Sequence, residues 1–199
     1  MGTGVVMLMS YAEKFLNAKG QSCTIKRTPI VSSRVSMKRS TKSSRDLGSR
    51  EAYWEGLILL DASLSSGEVM TIGSDDYLVQ TANFDPASSA TAFFAAKSNA
   101  MVHHARASEV AVSGNIVTSW PVMNASVTAY VEVTTYKMKQ EDPGLLDQTR
   151  YIAQVPKLIG ADMLDRIIMN GDNLEVVSID STSLAGVAKI QLGVDVRPD

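Results

Sequence analysis

Residues 68–81 and 165–178, 97 positions apart, carry the same pattern of two short strands around a tight turn. In the later copy, Asp165–Met169 and Leu174–Ser178 flank Asn170-Gly171-Asp172. Asn-Gly is the strongest short-range hairpin signal, because both central residues of a type I′ turn need positive φ. In the earlier copy, Glu68–Ile72 and Tyr77–Thr81 flank Gly73-Ser74-Asp75-Asp76. Superposed, Asp75 falls on Asp172, Val79 on Val176, Ile72 on Met169 and Tyr77 on Leu174. Upstream, strand 22–28, a loop and strand 53–60 match strand 127–136, a loop and strand 149–155. A chain of 199 residues accommodates two such modules of fewer than 100 residues each. The expected fold is mainly β: two tandem small β-barrel-like modules, with an N-terminal helix and a long basic loop.

The helix is expected over 10–19. Ser10 and Glu13 fit a capping box, Ala12, Phe15 and Leu16 form a short apolar stripe, and Gly20 supplies the stop. The stripe is narrow, so the helix docks either on its own domain or on a neighbouring copy. The expected division is an arm and helix at 1–21, a first module at 22–107, a connector at 108–124 and a second module at 125–199. Residues 91–106 read equally as a helix or as a strand pair turning at Ser98-Asn99, since alanine favours helix and phenylalanine suits either state.

Charge is distributed unevenly. The chain is −2 overall, yet residues 26–50 hold eight basic side chains against the single acid Asp46, so the remainder carries −9. With seven serines and no apolar periodicity, residues 30–50 read as a long basic loop, and loops of that length are usually functional. Arg34, Lys38, Arg39, Lys42, Arg45 and Arg50 would present it to phosphates or to an acidic protein surface. The absence of aromatics on it argues against base stacking. Tyr53 and Trp54 beside it, and Trp120 in the connector, are expected as interface anchors or as core residues.

Enzyme signatures are missing. The sequence has no phosphate-binding Gly-rich loop, no H-E-x-x-H and no G-x-S-x-G. The histidines are the adjacent pair His103 and His104, which would rarely reach one metal and are expected to be surface or partly packed residues. Asp75, Asp76, Asp162, Asp165 and Asp172 lie beside turn residues and are expected to be solvated. Cys23, the single cysteine, reads as a small core residue and excludes an intramolecular disulfide. No catalytic residue, metal or cofactor is expected. No apolar run reaches the roughly 20 residues of a membrane-spanning helix. The opening residues lack the basic start and cleavage signal of a secretory leader.

The second half resembles a known family. A strand, a loop, a strand ending at Pro156, then Leu164-Asp165-Arg166-Ile167, the Asn170-Gly171 turn, Val176 and a final strand is similar to the head-closure, or stopper, proteins of tailed-phage connectors. The first half looks like the same module but has Glu68-Val69-Met70 in place of the D-R-I triplet. The resemblance implies a structural virion protein of the phage neck, assembled in the host cytoplasm. It would form a closed six- or twelve-fold ring of itself between the portal or an adaptor ring and the tail proteins. The basic loop would face the DNA channel or the portal, and the ring would help to retain or channel packaged DNA. No membrane partner is implied. The competing expectation is an OB-like nucleic-acid-binding module that uses the basic loop.

Overall fold

The computed structural model describes residues 11–40, 52–112 and 115–198. The protein is mainly β, with two closed six-stranded barrels in tandem. Helix α1 (Tyr11–Lys19) leads into β1 (Gln21–Ile25), β2 (Val31–Arg39) and β3 (Tyr53–Ile58). A 3₁₀ turn at Leu60–Ala62 precedes β4 (Val69–Ile72), β5 (Asp75–Asp85) and β6 (Ala90–Lys97). These strands close in the order β1-β2-β3-β6-β5-β4.

The second barrel begins at once with β7 (Ala100–Ala105). A separate hairpin follows, β8 (Ser108–Val112) and β9 (Asn115–Ser119), then β10 (Val122–Val133) and helix α2 (Tyr136–Glu141). Next come β11 (Tyr151–Pro156), a 3₁₀ turn at Lys157–Ile159, β12 (Arg166–Met169), β13 (Asp172–Asp180) and β14 (Val187–Val194). Their order is β10-β11-β14-β13-β12-β7. Matching β7 to β1, β10 to β2 and β11–β14 to β3–β6 makes the two circuits identical.

The duplication extends to irregularities. The β5–β6 ladder shifts register between Val79 and Thr81, and the β13–β14 ladder shifts between Val176 and Ser178, again 97 positions apart. Each 3₁₀ turn ends in a left-handed residue, Ser63 in one barrel and Gly160 in the other. The paired hairpins turn over two residues each. Gly73 alone has positive φ in the first, the sign pattern of a II′ turn, whereas Asn170 and Gly171 both do in the second, that of I′.

Four expectations need correction. The stretch 91–106 is a pair of strands, but it is split between the barrels: β6 closes the first and β7 opens the second. The boundary therefore falls at Ser98-Asn99, not at 107. The counterpart of the strand expected at 22–28 is consequently β7, and the strand expected at 127–136 matches β2. The connector expected at 108–124 contains the β8–β9 hairpin and the start of β10. Finally, the basic loop expected at 30–50 begins as strand β2, which pairs with β1 and β3 over 31–39. Val31, Val35 and Met37 face the barrel interior at period two, but Ser33 takes the inward place between them and hides the alternation.

Helix α1 buries Ala12 and Leu16 and leaves Phe15 exposed. It lies on β2 of its own barrel. The Gly20 amide caps it on the Leu16 carbonyl at 2.8 Å, and Arg34 donates to the Gly20 carbonyl at 3.0 Å. Ser10 of the expected capping box lies outside the described residues.

The two barrels are joined by more than their link. Asn99 donates to the Val131 carbonyl and accepts from the Val131 amide, both at 2.8 Å, so the link is stitched to β10. Val69 and Leu78 of the first barrel form one apolar cluster with Leu184 and Val187 of the second. Beside it, the Gly186 amide donates to Ser66 Oγ at 3.1 Å. Gln80 bonds Gln154, and Gln154 donates to the Tyr53 hydroxyl at 3.2 Å.

Candidate functional site

The chemistry-bearing side chains lie in two places: the acidic residue that opens β4 or β12, and the β2–β3 face of the first barrel. The first place is built from topology. β12 pairs with both β7 and β13, so residues at its start lie beside the end of β7. Asp165, just before β12, receives His104 Nε2 at 2.7 Å, Arg106 Nη2 at 2.7 Å and Arg106 Nε at 2.9 Å. The Asp162 amide donates to it as well, at 2.7 Å. Asn124 Nδ2 lies 3.0 Å from His104 Nδ1 and donates to the Ile159 carbonyl at 3.0 Å. The Nδ1 atom therefore accepts, and Nε2 carries the proton that faces Asp165.

His104 and Asp165 are 1% and 4% exposed. The expectation of surface or partly packed histidines fails for His104, and the expectation of a solvated carboxylate fails for Asp165. Each stands in a barrel wall, where a paired polar group is tolerated because its hydrogen bonds are satisfied. Burial by itself drives the Asp165 carboxyl up. Hydrogen bonds from Arg106, His104 and the Asp162 amide outweigh it and hold the group below the usual carboxylate range.

The first barrel repeats this arrangement in simpler form. Glu68 occupies the Asp165 position and meets Arg27 at 3.0 Å, while the Ser65 amide donates to it at 2.8 Å. Arg27 also donates to the Ser63 carbonyl, as Arg106 does to that of Gly160, the residue 97 positions on. The acid and arginine thus tie the strand end to the 3₁₀ turn in both barrels.

The second residue of the D-R-I triplet diverges. Arg166 is buried and donates to Asp195 Oδ2 at 2.7 Å. Its guanidinium lies 4.1 Å from the Trp120 ring centroid, and that of Arg197 lies 4.5 Å away. Trp120 donates to the Pro198 carbonyl at 3.1 Å. Desolvation raises the Asp195 carboxyl, but Arg197 and Arg166 overcome it and bring it down to about 2. Trp120 therefore fastens residues 195–198 to the second barrel.

Asp165 and Asp195 make stability acid-sensitive. Their folded pKa values lie below the unfolded value of about 3.9, so their contribution is complete above roughly pH 5 and is lost as pH falls towards 2. Urea midpoints measured from pH 7 to 2 should hold down to about pH 5 and then drop. Asp195→Asn should be less stable at pH 7 and show a shallower drop.

Three basic side chains of the 26–50 stretch meet acids from elsewhere in the chain. Lys26 pairs with Asp76 at 2.6 Å, Arg27 with Glu68 and Lys38 with Glu55 at 3.4 Å. Acids distant in sequence thus offset three of these charges. Arg34 is occupied by the helix cap, and Arg39 lies 5.8 Å from the Trp54 ring. The Lys38 side chain is still 79% exposed. It lines a groove of about 490 Å³ with Ser36, Met37, Glu55, Gly56 and Leu57. Lys42, Arg45 and Arg50 lie outside the described residues.

Tyr53 stacks on Phe94 and meets Tyr130 of the second barrel edge-on at 5.4 Å, so it is an anchor between barrels of one chain. Trp54 packs against Tyr77 in the first core. Cys23 is buried, as expected, and desolvation pushes its thiol up to about 11.

Sequence reasoning missed His104, Arg106, Asn124, Asp195 and Arg197. The available signal was only His104 and Arg106 two apart on a strand, since the acid they meet lies about 60 residues on. Among the described residues no group of three His, Cys, Asp or Glu side chains is placed to hold a metal ion. No protein-family model matches the chain, and no curated protein matches it significantly.

Proposed function

We propose that the chain is a structural virion protein of a tailed-phage neck, forming a closed ring that joins the portal-bearing head to the tail. The observation that carries this reading is the duplicated barrel, two copies of one circuit fixed to each other along a packed seam. That construction suits a rigid building block better than a hinged binding cleft. The D-R-I segment that resembles stopper proteins supports it further. Its acid and arginine both serve the scaffold, tying β7, β12 and residues 195–198 together. Strand β2 would carry the basic segment towards the channel or the portal.

Native mass spectrometry tests the reading on the purified chain alone and mixed with portal complexes from the same genome. A six- or twelve-fold mass, alone or only on the portal, is the expected result. A chain that stays monomeric in both settings would sink it. A DNA-binding module remains the second reading, favoured by exposed Lys38 beside the β2–β3 groove. It requires affinity as a monomer with a steep salt slope, and loss of that affinity in Lys38→Glu.

A further inference from the structure

Every described strand except two belongs to a closed barrel and pairs with a neighbour on each side. The exceptions are β8 and β9, which pair only with each other. A lone two-stranded hairpin is marginal in water, and natural proteins normally protect such edges with lysines, prolines, bulges or a covering element. This hairpin has none of these within its strands. Its side chains lie open on both faces, Val110 49%, Ile116 74% and Val117 48% exposed.

The hairpin is also dispensable to its barrel. It is inserted between β7 and β10, a junction that the first barrel closes with residues 26–30 between β1 and β2. An insertion with bare edges and exposed valines calls for something to cover it.

Charge selects the occupant. Between Arg106 and Lys137 the sequence has no basic residue, so the hairpin's own strands offer a polyanion no counter-charge. In the hairpin itself the single charged residue is Glu109. Recognition must then rest on main-chain pairing and apolar contact, and the hairpin's own edges complement each other. Within the hairpin, Val110 faces Val117, Ala111 faces Ile116 and Glu109 faces Thr118. Setting β9 of one copy against β8 of the next repeats these pairs without bringing two glutamates opposite each other.

We propose that the hairpin pairs with the hairpin of an adjoining copy, β9 against β8, antiparallel. This inference rests on the ring reading above and names the contact that would build the ring. Hairpins that all point one way would form a continuous antiparallel sheet, and ring closure would leave it no edge.

The test mixes two single variants, Val110→Cys and Val117→Cys, under mild oxidation in the conditions where the parent chain assembles. Cys23 is buried and stays in both. The expected result is a disulfide-linked dimer of the two different variants, well above the level either forms alone. Cross-links within one variant alone would indicate two-fold pairing and overturn the proposal. In a second variant, residues 109–118 are replaced by Asn-Gly, which turns directly between the paired Ser108 and Ser119. It should unfold at the same urea concentration as the parent yet fail to reach ring mass. If the parent forms rings and this variant does too, the hairpin proposal fails and the ring reading stands. If the parent forms none, alone or with portal complexes, both fail.

Discussion

Replacing Asp165 with alanine is expected to cost about 3 kcal/mol of stability, because it leaves the buried His104 and the half-exposed Arg106 without their acceptor. His104 Nε2 and the Arg106 fork both end on this carboxylate, and the Asp162 amide loses its acceptor too. Against a typical domain stability of about 5–15 kcal/mol, that loss threatens the second barrel as a whole. Asp165→Asn keeps the shape but not the charge, so it should fall between the parent and the alanine variant. Glu68→Ala supplies the control. Glu68 holds the same position in the first barrel, but its side chain is 18% exposed and has no histidine partner, so the cost there should be about 1–2 kcal/mol. Urea unfolding of the three variants settles the matter. Equal, small losses at Asp165 and Glu68 would show that the buried cluster is not what holds β12 to β7.

The position where the two triplets differ most follows from what covers each barrel. Val69 and Arg166 stand 97 positions apart and pair with Leu78 and Glu175, themselves equivalent. On the first barrel this surface is apolar, and Leu184 and Val187 of the second barrel cover it. On the second it is charged, and Asp195, Arg197 and Trp120 cover it. The tandem thus has an apolar joint on one barrel and a polar cap on the next, much as repeat arrays place polar surfaces on terminal units. The Glu68-Val69-Met70 departure from the triplet keeps the acid and replaces the arginine with a residue that suits the joint.

How much of this was legible depended on whether the information was local. The 97-residue repeat and both hairpins were readable, because turn chemistry at Gly73 and at Asn170-Gly171 acts over four residues. Strand β2 was not, because a serine at an inward position breaks the apolar alternation although the barrel still closes over it. The assignment of β7 to the second barrel failed for another reason. β6 and β7 are separated by two residues like a hairpin, and only their partners, β3 and β5 against β10 and β12, show that they part. The polar clusters were invisible because each joins side chains tens of residues apart. His104 looked like one of an adjacent pair, and nothing near it announced Asp165. Charge pairing was equally non-local: Lys26, Arg27 and Lys38 of the basic stretch meet Asp76, Glu68 and Glu55 from elsewhere in the chain.

The seam between the barrels should be the most sensitive surface to a single added methyl group. A Cβ on Gly186 would lie 1.9 Å from the Ser66 carbonyl oxygen and 2.6 Å from the Gly67 amide nitrogen. All of these atoms are backbone, so no side chain can swing away to make room. Gly186→Ala must therefore push β14 and the Ser66-Gly67 segment apart, and overpacking of that kind costs about 1–3 kcal/mol or more. The displacement would also break the Gly186–Ser66 bond and loosen the Val69, Leu78, Leu184 and Val187 cluster, while the barrel circuits lie to either side of it. The expected outcome is loss of coupling with both barrels still folded. The parent should unfold in one transition, the variant in two, and the Ser98-Asn99 link should become cleavable by protease. Gly73→Ala is the control for a generic glycine effect: its φ of 62° strains any side chain, but nothing lies within 4 Å of the added carbon. It should lower stability modestly without splitting the transition. A single transition in Gly186→Ala, with the link still protected, would mean that the barrels are held together elsewhere, with the Gln80–Gln154 bond and the Tyr53–Tyr130 contact the next to remove.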